Sequence, residues 1–482
     1  MKTYMNPAIP RGAFSRRPAA APNGPARGPE AFTEVFPQKQ ERHMTHRIGI
    51  RGIVAVAALW PAAAWGQLEQ RGSYSQKGDL FVWPYVVVRW EDKPNGGGAT
   101  GTFGPEDVAQ QDVFIAVSQD AGSPGRLLRL VFGAHLPPPA TPDPNCPTGT
   151  WERSKRTLVP PSTMGEHPWY FSAFTGSGAL MNNVGGSFQQ LVVDGTNLGE
   201  PDNGPFGGAN IRKAEGFIVG WTVASTDTTC PVGGNSMAGS ALVIDYKNES
   251  AWEYKPWVFR SNFTGNKADK VKLKLNGDPA EYQKVPSHLL VDFWSSGNLF
   301  PPPGGTPNPA FGPNPSGTTS DTDFELTLVN MAMDFRGKPD FDMDGITGES
   351  PDDGPCQGPP VTSVEVLTWN EFESQVSGTR KCLTCWDSTL ASRFRFANMN
   401  SPFSFSALQT KKGKGRLWGA KSISCDRAAV PATGVRAKPS FNLPILGVAH
   451  TIVKWGATGR CARGGSALIG MGERTDGFVF CD

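Results

Sequence analysis

Histidine is scarce in this chain: six occur in 482 residues, and only His135, His167, His288 and His450 follow residue 66. None neighbours another histidine or a close cysteine pair, so a zinc site of the usual spacing is excluded. The catalytic signatures that spacing can reveal are missing too, with no Gly-x-Ser-x-Gly, no His-Glu-x-x-His and no P-loop. Carboxylates such as Asp112, Glu253 and Asp292 leave a glycosidase pair formally open, because such pairs are distant in sequence. Nothing in the pattern selects them. Long 3.6-residue periodicities are nearly absent, which argues against a helical protein. Beyond residue 66 no run reaches ~18 uninterrupted apolar residues, so no transmembrane segment is expected in the mature chain. A basic balance is also lacking. Residues 1–66 carry nine Lys and Arg against three Asp and Glu, so removing them takes the net charge from +2 to −4. A nucleic-acid partner thereby loses its electrostatic footing.

What is present begins with an export signal. Met44 opens a short basic start with Arg47 and Arg51, followed by an apolar run over 52–64. Ala64-Trp65-Gly66 supplies small residues for cleavage before Gln67, so 44–66 reads as a signal peptide. Residues 1–43, rich in Pro, Ala and Arg, are either an extension ahead of the true start or a disordered arm. Export places the mature protein in the periplasm or outside the cell. All eight cysteines follow the signal. An even count in an oxidising compartment reads as structural disulfides. Cys382-Leu-Thr-Cys385 also admits a redox pair.

Strand signals dominate the rest. Leu80 to Trp90 is β-branched and aromatic throughout, with Pro84 marking an edge or a bulge. Val113 to Val117 is continuously apolar, as in a strand buried on both faces. Phe324, Leu326 and Leu328 alternate, and so do Phe403, Phe405 and Ala407. Lys411 to Gly415 (KKGKG) reads as a turn. The 298–320 stretch holds seven prolines and is expected to be an extended loop. Segments also recur in order. GSALVIDY (Gly239 to Tyr246) returns as GSALIGMG (Gly465 to Gly472), GFIVGWTVAS (Gly216 to Ser225) answers to LGVAHTIVKW (Leu446 to Trp455), and PWYFSAF (Pro168 to Phe174) to PFSFSAL (Pro402 to Leu408). DVFIAVSQD (Asp112 to Asp120) answers to SVEVLTWNE (Ser363 to Glu371). The expectation is an all-β protein of two related, immunoglobulin-like β-sandwich domains, 67–262 and 263–482, arising from internal duplication.

KGDLFVWPYVVVRW, DVFIAVSQD, GFIVGWTVAS, SAWEY, CLTCWDSTL and GSALIGMG together resemble a group of secreted bacterial β-rich proteins without an assigned activity. Those proteins share a GSLLVFP-type first strand and a CITCWDQTLL-like segment. The resemblance spans most of 77–482 and implies export and a β-rich fold, with no catalytic residues to carry over.

Three local constellations remain. Asp340, Asp342 and Asp344, followed by Gly345, match the first half of a calcium loop, but Pro351 stands where a bidentate Glu belongs. Calcium and a solvated acidic loop both stay open. On a strand, Trp252 and Tyr254 share a face and could form a ligand platform or pack in the core. Cys230 precedes the first GSAL strand, and the only other cysteine of its half is Cys146, so these two are expected to pair. By internal analogy Cys461 is expected to reach Cys382 or Cys385. The function expected is a non-enzymatic exported protein that binds or scaffolds a protein or glycan at the cell surface. A secreted carbohydrate-active enzyme or carbohydrate-binding module is the alternative.

Overall fold

The computed structural model describes residues 77–93, 108–119, 126–136, 150–158, 169–173, 200–201, 210–224, 230–300, 320–334, 361–383, 385–394, 400–423, 425, 440–455, 461–466 and 468–480. All of them belong to one compact unit, Trp65–Asp482. The fold is almost entirely β, in several sheets. No helix among the described residues is long and apolar enough to cross a membrane.

The Leu80–Glu91 strand lies at the heart of the largest sheet, and every residue from Leu80 to Trp90 except Pro84 and Arg89 belongs to the buried apolar core. A run of β-branched and aromatic side chains suits a position covered on both faces. On one side it pairs with Ile211–Val223, and on the other with Trp257–Phe259 and then Val108–Gln119. Pro84 falls where the register slips between Trp83 and Val86. The expected irregularity is therefore a bulge in a central strand, not an edge. Proline brings no N–H, so it fits where the ladder is already broken. The carbonyls freed there are taken by buried aromatic donors: Trp386 Nε1 donates to Pro84 O at 2.6 Å, and the Tyr254 hydroxyl to Tyr85 O. Polar ends of large aromatics usually find such partners once buried.

The ten-stranded sheet runs Ser250–Tyr254, Met237–Asp245, Val108–Gln119, Leu80–Glu91, Ile211–Val223, Leu127–Leu136, Thr150–Leu158, with three short strands off this path. Two further sheets come from later residues. One has six strands, ordered Gln375–Leu383, Val361–Asn370, Lys412–Ala420, Val285–Trp294, Ile469–Thr475, with Ser440–Phe441 beside the second. The other has five, ordered Gly297–Phe300, Ser320–Asn330, Ile445–Trp455, Cys461–Ser466, with Trp386–Leu390 beside Ser320–Asn330. A single hydrophobic core joins all three, from Leu80 through Trp257 and Phe324 to Val479. Trp257 Nε1 donates to Gly447 O at 2.8 Å across it.

The matched segments do not take matching places. Val108–Gln119 lies beside the first GSAL strand, whereas Val361–Asn370 lies between Gln375–Leu383 and Lys412–Ala420. The second GSAL copy straddles two sheets, ending Cys461–Ser466 and entering Ile469–Thr475. Trp169–Ser172 is a strand, but Phe405–Leu408 is a helical turn capped by Ser404, whose Oγ accepts from Ala407 N. A serine able to satisfy a free N–H wins over the Phe403, Phe405, Ala407 alternation that suggested a strand. The matched segments thus share alternation and small residues but not strand order. Val113 to Val117 also departs from expectation, since Phe114 and Ala116 are only half-buried.

Candidate functional site

The residues singled out in the sequence are dispersed. Asp340, Asp342 and Asp344 lie outside the described residues, as does Cys146. Cys230 is a buried free thiol, so the bridge expected at this cysteine is corrected; its Sγ lies 3.8 Å from Pro231 O and 3.7 Å from Lys267 O. Cys382 is bonded to Cys425, so the Cys382–Cys385 redox pair is not formed and the bridge spans 43 residues instead. Cys382 is therefore not the partner of Cys461, and Cys385 is buried. Asp112 is buried and accepts from the Ser172 hydroxyl, while Glu253 is paired with Lys255 at 2.6 Å. Asp292 stands on the six-stranded sheet, away from the sheet that carries those two. The three carboxylates are engaged separately.

Trp252 and Tyr254 do share a face, but it is the inner one, and both are buried. Ala251 and Glu253, on either side of Trp252, take the exposed positions. The exposed platform at Trp252 and Tyr254 is therefore corrected. Trp252 instead stacks on His450 at 4.6 Å and packs against Tyr85 and Tyr254.

Around that stack lies a buried polar joint between the ten-stranded and five-stranded sheets. Arg463 Nη1 donates to Gln111 Oε1 at 2.5 Å and to the Tyr85 hydroxyl at 3.2 Å, and its Nε lies 3.7 Å from Asp245 Oδ2. Arg89 donates to the same Gln111 oxygen at 2.7 Å. His450 Nε2 approaches Glu325 Oε2 at 3.0 Å, off the ideal hydrogen-bonding direction, and Ser388 donates to Glu325 Oε1 at 2.8 Å. Burial pushes Glu325 up, but His450 and the charges of Arg89 and Arg463 outweigh it and hold the carboxyl well below its usual range. Burial, aided by both arginines, pushes His450 down despite Glu325, so the imidazole is neutral. Two arginines thus face two carboxylates, Glu325 and Asp245. With His450 0% exposed, the joint is sealed from solvent and fixes one sheet against another.

Aromatic and basic side chains come together on the outward face of the six-stranded sheet. Its central strand, Lys412–Ala420, alternates strictly: Gly413, Gly415, Leu417 and Gly419 are buried, while Lys412 and Lys414 are exposed and Arg416 and Trp418 half-exposed. The KKGKG expected to turn is the start of this strand, and the core explains why. A Cβ on Gly413 would come 2.7 Å from Phe293 Cζ, and one on Gly415 would come 2.9 Å from Val291 Cγ1. Phe293 meets Phe403 edge-on at 5.0 Å and Phe324 at 5.1 Å, so the inner face is a tight aromatic layer reaching up to the strand backbone. Glycine there is a packing requirement, not a turn signal.

On the outer face the register lines up aromatic and charged neighbours. Trp294 lies opposite Lys412, and Asp292 and Trp369 flank Lys414 from either side. Leu290 and Leu367 flank Arg416, and Glu365 lies opposite Trp418. Trp294 is 44% exposed, whereas the largest core tryptophans are 1% or less. Arg416 lies over the Trp418 ring at 5.3 Å, and His288 touches the same ring at 5.6 Å. Burial and the Arg416 charge push His288 down, so it adds no positive charge near neutrality. Among the described residues no carboxylate forms an ion pair with Lys412 or Lys414, and no group of His, Cys, Asp and Glu could hold a metal. The signal for this face was the period-two Lys-Gly-Lys-Gly-Arg-Leu-Trp pattern itself. No protein-family model matches the chain, and no curated protein matches it significantly.

Proposed function

We propose that this is an exported, non-catalytic binding protein that works in the periplasm or outside the cell and engages its ligand through the outward face of the six-stranded sheet. One observation carries the reading: Trp294, Trp369 and Trp418 lie on the outward face of a sheet whose inner face is locked by Phe293, Phe324 and Phe403. Aromatic rings held on a sheet packed tightly from beneath offer apolar surface at little ordering cost, which suits the faces of sugar rings or an extended partner. This favours the carbohydrate-binding-module version of the alternative over the glycosidase version. The export signal, the resemblance to secreted β-rich proteins and the immunoglobulin-like reading of the sheets belong to the same proposal. So does calcium at Asp340, Asp342 and Asp344, where binding would raise the melting temperature in calcium relative to chelator.

The test is retention of the intact secreted chain on a glycan array, alongside Trp294→Ala. Binding that the variant loses, with unchanged melting, is the expected result. Binding that survives in Trp294→Ala would place the ligand elsewhere.

A further inference from the structure

We propose that the ligand of this face is an acidic polysaccharide, a sugar chain carrying carboxylate or sulfate groups at intervals. The inference rests on the reading of the face as the binding surface and names its chemistry. The first observation is charge. Residues 411–421 hold Lys411, Lys412, Lys414, Arg416 and Lys421 with no acidic residue, on a chain whose part beyond residue 66 is net negative. A local basic stripe against an acidic background is an address for an anion. Lys412, Lys414 and Arg416 point outward from alternate positions of one strand, so they repeat about every 7 Å, twice the rise per residue.

The second observation is what separates the positive charges. Asp292 and Glu365 occupy positions on the same face, beside Lys414 and Trp418. Carboxylates so placed repel a densely charged strand such as a nucleic acid, which carries a charge at every nucleotide. They are good acceptors for sugar hydroxyls, which donate without charge. A ligand rich in hydroxyls and sparing in anions satisfies both sets at once.

The third observation is aromatic spacing. Trp294 and Trp369 lie on strands flanking Lys412–Ala420, so two strand spacings, about 10 Å, separate their backbones across the sheet. A chain crossing obliquely can stack one ring on each and set an acidic group between them, over Lys412 and Lys414. Arg416, already over Trp418, extends the row and presents a planar guanidinium suited to carboxylate or sulfate.

The experiment titrates the intact secreted chain with polygalacturonate, its methyl-esterified form, neutral dextran, dextran sulfate and single-stranded DNA, at low and moderate salt. The expected result is binding to polygalacturonate or dextran sulfate that weakens at least tenfold on methyl esterification and several-fold as salt rises. The Lys412→Gln/Lys414→Gln variant should lose about tenfold with an unchanged melt, and Trp294→Ala should lose binding as well. Equal binding of neutral and acidic polymers, abolished by Trp294→Ala, would overturn the acidic specificity while leaving the face as the binding surface. Preference for DNA would overturn the polysaccharide. If a folded chain bound none of these polymers, the proposal would fail, and a blank glycan array would take the reading of the face down with it.

Discussion

Trp386→Phe probes the bulge in the central strand. The indole N–H reaches Pro84 O at 2.6 Å in a site where Trp386 is 6% exposed. Replacing it with Phe removes the donor and leaves the carbonyl buried without a partner, a loss of about 1–3 kcal/mol. The smaller ring also leaves a void of a few tens of cubic ångströms, adding about 1 kcal/mol. The sum is about 2–4 kcal/mol, a large share of what holds an ordinary domain together. Urea unfolding of the oxidised protein reads it as a lowered midpoint at unchanged slope. Trp294→Phe is the control, because its exposed ring should change stability by no more than about 0.5 kcal/mol. Trp257→Phe, whose donor serves Gly447 O, should resemble Trp386→Phe. If Trp386→Phe behaved like the Trp294 control, the freed carbonyl would be satisfied by something else and the account of the bulge would be wrong.

Other expectations follow from the same physics. The folded protein holds His450 neutral by burial, so the unfolded chain takes up a proton near pH ~6.5 that the folded chain resists; stability should fall as pH drops from there. Glu325, held down in the fold, adds a second loss as pH falls through the ordinary carboxylate range; melts of His450→Gln across pH should show a weakened first limb, its remainder coming from His288, and a smaller second limb, because His450 helps hold Glu325 down. Gly413→Val should cost at least about 1–3 kcal/mol by forcing the Phe293 layer away, measured by thermal melting. Removing the Cys382–Cys425 bridge with a double Ala variant should lower stability by about 4 kcal/mol for the 43-residue separation it closes, read from denaturant midpoints. Cys230, 2% exposed, should resist alkylation until the protein unfolds, and labelling of the native state at the rate of a free thiol would contradict its burial.

The strands of this fold were legible because they are written in period two and in β-branched runs, as at Leu80 to Trp90. The bulge at Pro84 was legible for a covalent reason, the missing N–H. What stayed hidden depends on neighbours far away in sequence. Whether Trp252 faces solvent is decided by His450 stacking on it, and nothing near residue 252 encodes that. Gly413 and Gly415 looked like turn residues because composition does not reveal Phe293 pressing from beneath. The GSAL repeats suggested two equivalent halves, but strand order is set by which edges meet, and the second copy passes between sheets. The joint of Arg89, Gln111, Glu325 and Arg463 left no local mark, since its members come from four separate strands.

The reach from Trp386 to Pro84 has a consequence for how the molecule is made. The two residues stand 302 positions apart, so the Pro84 carbonyl stays unmet until most of the chain is available. Until then Leu80 to Trp90 is a long β-forming run with only Pro84 and Arg89 to discourage pairing with another copy. Such topologies collapse late and slowly, because distant partners must first find one another. A nascent chain of this design is safest when kept extended and delivered whole. Fragments ending before residue 386 should therefore aggregate instead of yielding a smaller soluble protein.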